Sequence, residues 1–420
     1  MKHVFLMLLA LAVPSVLAAQ QSATYKHTNA LLKEKDFFQA RNFFQANRQQ
    51  MTAGEKFVVE AYLHNAFNKP ALSNKAITAF LDRHAGNASD SLKMDLQRLK
   101  MLNHVRLFEY ADALRASNVL ELRYSRLLSA ADLDDYRNTA VIWKALSGMP
   151  GQEVIVKETT TIRMKRDKAK LANLEVKAAG VTADFIFDTG ANFSTVSAST
   201  AKALGMKMLD GTLEVGAITG GKVKSGLAVC PAFSIGNIMV KNAVFLVFPD
   251  SSLAFPQIQY QINGIIGFPV IEGLKEVQLT RNDDFIVPKE QSAGAALNMA
   301  LDFLTPVINL GGEHFTFDTG ATGTMLYSKY LRRHQAEITG TYEKTDLQFG
   351  GAGGMLTKKG YKIIFRPLVS GRQLELPDVH VFDESLNESK DHFYGNIGQD
   401  VIRQFDKMTL NFGLMFIAFK

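Results

Sequence analysis

The spacing of apolar positions along this 420-residue chain changes twice. Lys2 and His3 precede an unbroken apolar run from Val4 to Val13, followed by Pro14 and the small-residue stretch Ser15 to Ala19. That layout predicts a cleavable export leader over residues 1–18. A membrane anchor needs about 18–20 apolar residues, roughly twice what is present. From about residue 22 to 148 the period becomes helical. Val59, Tyr62, Leu63, Ala66 and Phe67 fall at i, i+3, i+4, i+7 and i+8, one face of a helix. Thr52 and Glu55 form a capping box at its start. Gly148-Met149-Pro150-Gly151 ends this region. Alternating, β-branched segments follow (Val154-Ile155-Val156, Thr159 to Ile162, Leu174-Glu175-Val176, Phe185-Ile186-Phe187), predicting an all-β part over 152–420.

Within the helical region three helix beginnings place an alanine after a polar turn. Ala40, Ala76 and Ala113 are spaced 36 and 37 residues apart. The period resembles degenerate tetratricopeptide-type helix pairs, in which a small residue lets helices approach closely. A plain helical bundle with an accidental period is the alternative. The predicted units are the leader 1–18, a helical region 19–150, and two β units, 151–290 and 291–420.

Composition and charge narrow the function. The net charge of +6 comes from basic residues spread through the chain, which gives no reason for a nucleic-acid or membrane-surface partner. Cys230 is the sole cysteine, so no internal disulfide forms, and its expected role is a small buried hydrophobe. Asn87, Asn192 and Asn387 each begin a glycosylation sequon. A glycan on Asn192, four residues past Asp188, would block a cleft there, which favours a bacterial periplasmic or secreted protein. The chain has no Gly-x-Ser-x-Gly elbow, His-Glu-x-x-His, Walker loop or paired-cysteine motif. Glu313-His314 reads as a surface turn pair and Trp143 as helix core.

The β part repeats itself. Phe185-Ile186-Phe187-Asp188-Thr189-Gly190-Ala191 is answered by Phe315-Thr316-Phe317-Asp318-Thr319-Gly320-Ala321. Gly264-Ile265-Ile266-Gly267 is answered by Gly395-Asn396-Ile397-Gly398, 76 and 77 residues past the respective aspartates. Two carboxylates brought within hydrogen-bond reach cannot both ionise cheaply, so the pair holds one proton over a wide pH range. The ionised member takes a proton from water and the protonated member donates to a scissile carbonyl. This chemistry needs no metal and no cofactor.

Asp-Thr-Gly-Ala after an apolar strand, followed by a glycine-rich hairpin and an apolar-apolar-Gly segment, resembles the retropepsin-like aspartyl proteases over about residues 160–420. Two such units in one chain resemble the bilobal pepsin arrangement. The resemblance implies a multidomain α and β protein: a helical, repeat-like domain followed by a bilobal all-β acid-protease fold. Asp188 and Asp318 would meet at the junction, with Thr189 and Thr319 interlocking across it and Gly190 and Gly320 letting the backbone approach the carboxylates. Flap hairpins would contribute Thr219, Gly220 and Gly221 in one lobe and Gly351, Ala352 and Gly353 in the other, gripping a peptide or protein substrate. The helices would recognise a protein partner or occlude the cleft as a pro-segment. The short connection over about 284–298 favours a monomer that pairs its own lobes. Ala191 and Ala321 stand where pepsin-like enzymes often carry a hydroxyl, which implies a mildly acidic to neutral optimum. Asn396 departs from the apolar pattern of its segment. A non-catalytic peptide-binding scaffold is the competing reading.

Overall fold

Seven helices open the structure, a computed structural model that describes residues 21–216, 222–294, 296–351, 354–386 and 390–420. The leader 1–18, the flap candidates Thr219, Gly220, Gly221, Ala352 and Gly353, and the Asn387 sequon lie outside the described residues. The helices are α1 Ala23–Lys33, α2 Phe37–Asn47, α3 Ala53–Ala66, α4 Pro70–Arg83, α5 Asp90–Arg106, α6 Tyr110–Tyr124 and α7 Ala130–Leu146. Thr52 and Glu55 form the capping box at α3, each side chain bonded to the other's backbone. Ala40, Ala76 and Ala113 are buried on α2, α4 and α6.

The first six helices pack as three successive pairs. The turn within each pair has the same construction. Lys35, Asn68 and Phe108 each take a left-handed φ of 58°. The next N–H then bonds back five residues: Asp36 to Leu31, Lys69 to His64 and Glu109 to His104, at 2.9, 2.7 and 2.9 Å. This closure satisfies carbonyls that a helix end leaves orphaned. The helical region therefore contains a threefold structural repeat.

Beyond α7 two β lobes share one strand plan. In the first, Val181–Phe187 leads to Asp188 and lies parallel to Gly264–Ile266, Phe185 opposite Gly264. In the second, Glu313–Phe317 leads to Asp318 and lies parallel to Gly395–Ile397, Phe315 opposite Gly395. Phe185, Phe187, Phe315 and Phe317 are all buried in the shared core. Among the described residues the first-lobe sheet has nine strands and the second-lobe sheet eight. Short helices such as Ala198–Ala203 and Ser328–Arg333 interrupt what the sequence pattern presents as purely β. At six residues each, they span too few turns to impose a helical period.

A five-stranded sheet joins the lobes. Glu276–Thr280 of the first pairs antiparallel with Lys407–Asn411 of the second, Glu276 opposite Asn411 and Gln278 opposite Thr409. Asp284–Val287 belongs to this sheet, so the connection between lobes is shorter than the expected 284–298. Fully buried Glu276 accepts from the Ser292 backbone and hydroxyl, Gln278 and Asn411 at 2.6–2.8 Å. Burial pushes its carboxyl up, but these donors outweigh it and hold the group below its usual value. Because the folded value is depressed, the stabilisation is complete above the ordinary glutamate range and is lost as pH falls through the folded value. Glu276→Ala is expected to lower stability by about 3 kcal/mol at neutral pH. The measurement is the denaturant midpoint at several pH values, and the deficit should shrink in acid.

The helices seat on both lobes. Lys35 pairs with Asp302 at 2.6 Å, Asn68 donates to Phe412 O at 2.9 Å, and Arg106 reaches Glu272 at 3.3 Å. His314 is a correction to the surface-turn reading. It is 3 % exposed, 3.5 Å from Asp36 and against the Phe38 ring, because α2 covers its strand. Among the described residues no helix is long and apolar enough to cross a membrane.

Candidate active site

Both Asp-Thr-Gly turns emerge from parallel strand pairs whose backbones fix them. Asp188 N donates to Ile266 O at 3.1 Å and Asp318 N to Ile397 O at 3.0 Å. Ala191 O accepts from Phe268 N at 2.8 Å and Ala321 O from Gln399 N at 2.9 Å. The glycine segments therefore hold both ends of each turn.

The threonines then tie one turn to the other. Thr189 Oγ1 donates to Phe317 O at 3.0 Å and accepts from Thr319 N at 3.0 Å. Thr319 Oγ1 donates to Phe187 O at 2.9 Å and accepts from Thr189 N at 3.0 Å. Both threonines are buried, so these four bonds form in a region of low dielectric where water does not compete. Gly190 N donates to Asp188 Oδ1 at 2.8 Å and Gly320 N to Asp318 Oδ1 at 2.7 Å. Neither glycine needs a left-handed φ; what each supplies is space. A Cβ on Gly190 would lie 2.6 Å from Asp318 Cγ, and one on Gly320 would lie 2.3 Å from Asp188 Cγ.

The carboxylates themselves are within hydrogen-bond reach. Burial, the charge of Asp318 and the bond between the two acids raise Asp188 well above the ordinary aspartate value, against smaller opposing pulls from the Gly190 and Ala191 N–H groups. Among the described residues no side-chain hydroxyl bonds either carboxylate. If the pair drives a reaction, the raised value moves the alkaline limb of its pH profile upward. Activity is then expected to peak in the mildly acidic to neutral range. A peak well below about pH 4 in a kcat/KM profile would contradict this.

Several supporting groups went unread in the sequence. Ser194 and Thr324, each six residues past its aspartate, accept from Gly267 N at 3.1 Å and Gly398 N at 3.2 Å. The repeat held that signal, since a hydroxyl residue recurs at the same offset. Asn396 has a partner of its own kind. It lies opposite Thr316, whose hydroxyl donates to Asn396 Oδ1 at 2.6 Å, where the first lobe sets Ile265 opposite Ile186. A matched polar pair replaces a matched apolar pair. Gln399 donates to Thr319 O at 2.7 Å and accepts from Arg166 of the first lobe, a further tie between lobes. Lys390 stands 5.7 Å from the Tyr327 ring centroid. Burial lowers its ammonium value while the negative charge of Asp318 acts against that. Gly351 ends the strand Lys344–Gly351, paired with Gly354.

Two equivalent β lobes meeting through interlocked Asp-Thr-Gly turns define a bilobal acid-protease fold behind a helical region. Residues 174–270 match the family model described as aspartyl protease. That stretch includes the first Asp-Thr-Gly turn and its supporting glycine segment. Among solved structures, a retropepsin-like aspartic protease from Rickettsia conorii is similar at 17 % identity, with 33 % of this chain and 95 % of that chain covered and a TM-score of 0.22. No curated protein matches the chain.

Proposed function

We propose that the protein is an exported aspartic endopeptidase that hydrolyses peptide bonds through a water held between Asp188 and Asp318. One observation carries the reading: the reciprocal Thr189–Thr319 bonds bring both carboxylates to one point, with space for them only because residues 190 and 320 lack a Cβ. A scaffold that merely grips peptides has no need to desolvate two acids against each other. In the proposed reaction, the pair carries one proton. The ionised oxygen removes a proton from water as that water attacks the scissile carbonyl, and the protonated oxygen donates to the carbonyl oxygen. The resulting tetrahedral species breaks down by proton transfer to the leaving nitrogen. The dyad titrates as a unit, so the roles belong to the pair.

The units we propose are the leader 1–18, a tetratricopeptide-like region 19–150 supported by its three matching turns, and lobes 151–290 and 291–420. Flap roles for Thr219, Gly220, Gly221, Gly351, Ala352 and Gly353 rest on matching positions 31 to 35 residues past the aspartates. Intramolecular pairing makes a monomer sufficient for a complete site. Export to the periplasm or outside the cell is supported by the leader pattern of residues 1–18. The test is mass spectrometry of a peptide library incubated with the purified protein. New termini are expected, with preferences on both sides of the cut. Peptides retained intact on the protein would favour the binding scaffold.

A further inference from the structure

The strand Lys207–Gly216 forms the edge of the first-lobe sheet and pairs antiparallel with Lys222–Ile235 as one stem of a hairpin. An edge strand leaves backbone groups without a sheet partner. Here α7 takes the partner's place. Asn138 Nδ2 donates to Glu214 O at 2.7 Å, and Asn138 Oδ1 accepts from Glu214 N at 2.9 Å. One side-chain amide does for Glu214 what a neighbouring strand would do.

Nearly one turn further along α7, Val141 lies over Gly211. The glycine has a φ of +122°, and a Cβ there would sit 2.6 Å from Val141 Cγ1. It falls within the register shift between Leu209 and Leu213, so the strand bulges where the helix presses closest. Ile142, Trp143 and Leu146 then share a buried cluster with Leu213 and Leu227 of the stem. The Trp143 ring also stands 6.2 Å from Phe193, five residues past Asp188. A single helix thus touches both the hairpin stem and the segment that follows the first aspartate.

We infer that α7 is a positioning element of the cleft, with Asn138 fixing the hairpin stem relative to the Asp188 turn. On this account the helical region is a working part of the enzyme and not a pro-segment to be shed. The inference rests on the catalytic reading above and deepens it. Binding energy from substrate is spent less on ordering a stem that is already held, so the clamp acts chiefly on KM.

The test uses the full chain. Asn138→Ala removes both bonds. Amide hydrogen exchange over residues 207–216 is expected to accelerate about tenfold or more. KM for a cleaved peptide is expected to rise about fivefold, with kcat changing less than about twofold. Asn138→Asp keeps an acceptor for Glu214 N–H and loses the donor, so both readouts should fall between. If Asn138→Ala unfolds the helical region, Asn138→Asp alone carries the test, since it loses the donor to Glu214 O at nearly constant side-chain size. Unchanged exchange in a folded variant overturns the clamp. Faster exchange with KM and kcat both unchanged overturns its positioning role. Exchange is measured without substrate, so a wild-type chain that cleaves nothing sinks the catalytic reading and the positioning role, while exchange still reports the clamp.

Discussion

Asp188→Asn and Asp318→Asn are each expected to lower kcat about 1000-fold or more, because neither variant retains a carboxylate pair able to share one proton. Asparagine keeps the size of aspartate, so the Thr189–Thr319 bonds and the Gly190 and Gly320 contacts survive. Loss of activity should therefore not track loss of structure. The folded value of Asp188 is raised, so its favourable contribution is present at low pH and is lost as pH rises through that value. Asp188→Asn removes that loss. Its melting temperature should exceed that of the wild type at neutral pH, and the difference should shrink in acid. An inactive variant that is also less stable at neutral pH would point to misfolding.

The second large effect comes from a single methyl group. Gly320→Ala places a Cβ 2.3 Å from Asp188 Cγ, and Gly190→Ala places one 2.6 Å from Asp318 Cγ. No real contact is that short, so the opposing carboxylate must move or the turns must part. The turns are bound to each other by four hydrogen bonds, so the movement falls on the carboxylates first. A shift of about 1 Å in a reacting group costs about 100-fold in rate. The expected result for Gly320→Ala is a loss of at least that size in kcat/KM, with stability lowered by about 1–3 kcal/mol through overpacking. Gly190→Ala should follow the same direction with a smaller effect, since its contact is less severe. Steady-state kinetics and thermal melts on the same preparations separate the two consequences.

The parts of this molecule legible in the sequence are those written locally. The two Asp-Thr-Gly-Ala turns, their preceding phenylalanines and the matching glycine segments lie in short runs, and the structure sets each in equivalent surroundings. The α3 capping box is equally local. What was hidden depends on contacts between distant residues. Asn396 breaks the apolar pattern of its segment, and the Thr316 that matches it lies opposite only through parallel register, which neither strand encodes alone. His314 read as a surface residue because α2, nearly three hundred positions earlier, supplies what covers it. The three helix turns share a left-handed residue, yet its identity is Lys, Asn or Phe. The usual glycine signal is absent, each non-glycine residue costing about 1–2 kcal/mol that the surrounding packing offsets.

The most direct test of the central claim is one assay of peptide cleavage between about pH 3 and pH 8. It compares the wild type, Asp188→Asn alone, Asp318→Asn alone, and an equimolar mixture of the two variants. If one chain supplies both halves of a single dyad, the wild type cleaves and all three other samples are silent. Cleavage by either single variant at the wild-type rate, or no cleavage by the wild type, would remove the dyad from the chemistry. Activity regained only in the mixture would show that the lobes pair between chains.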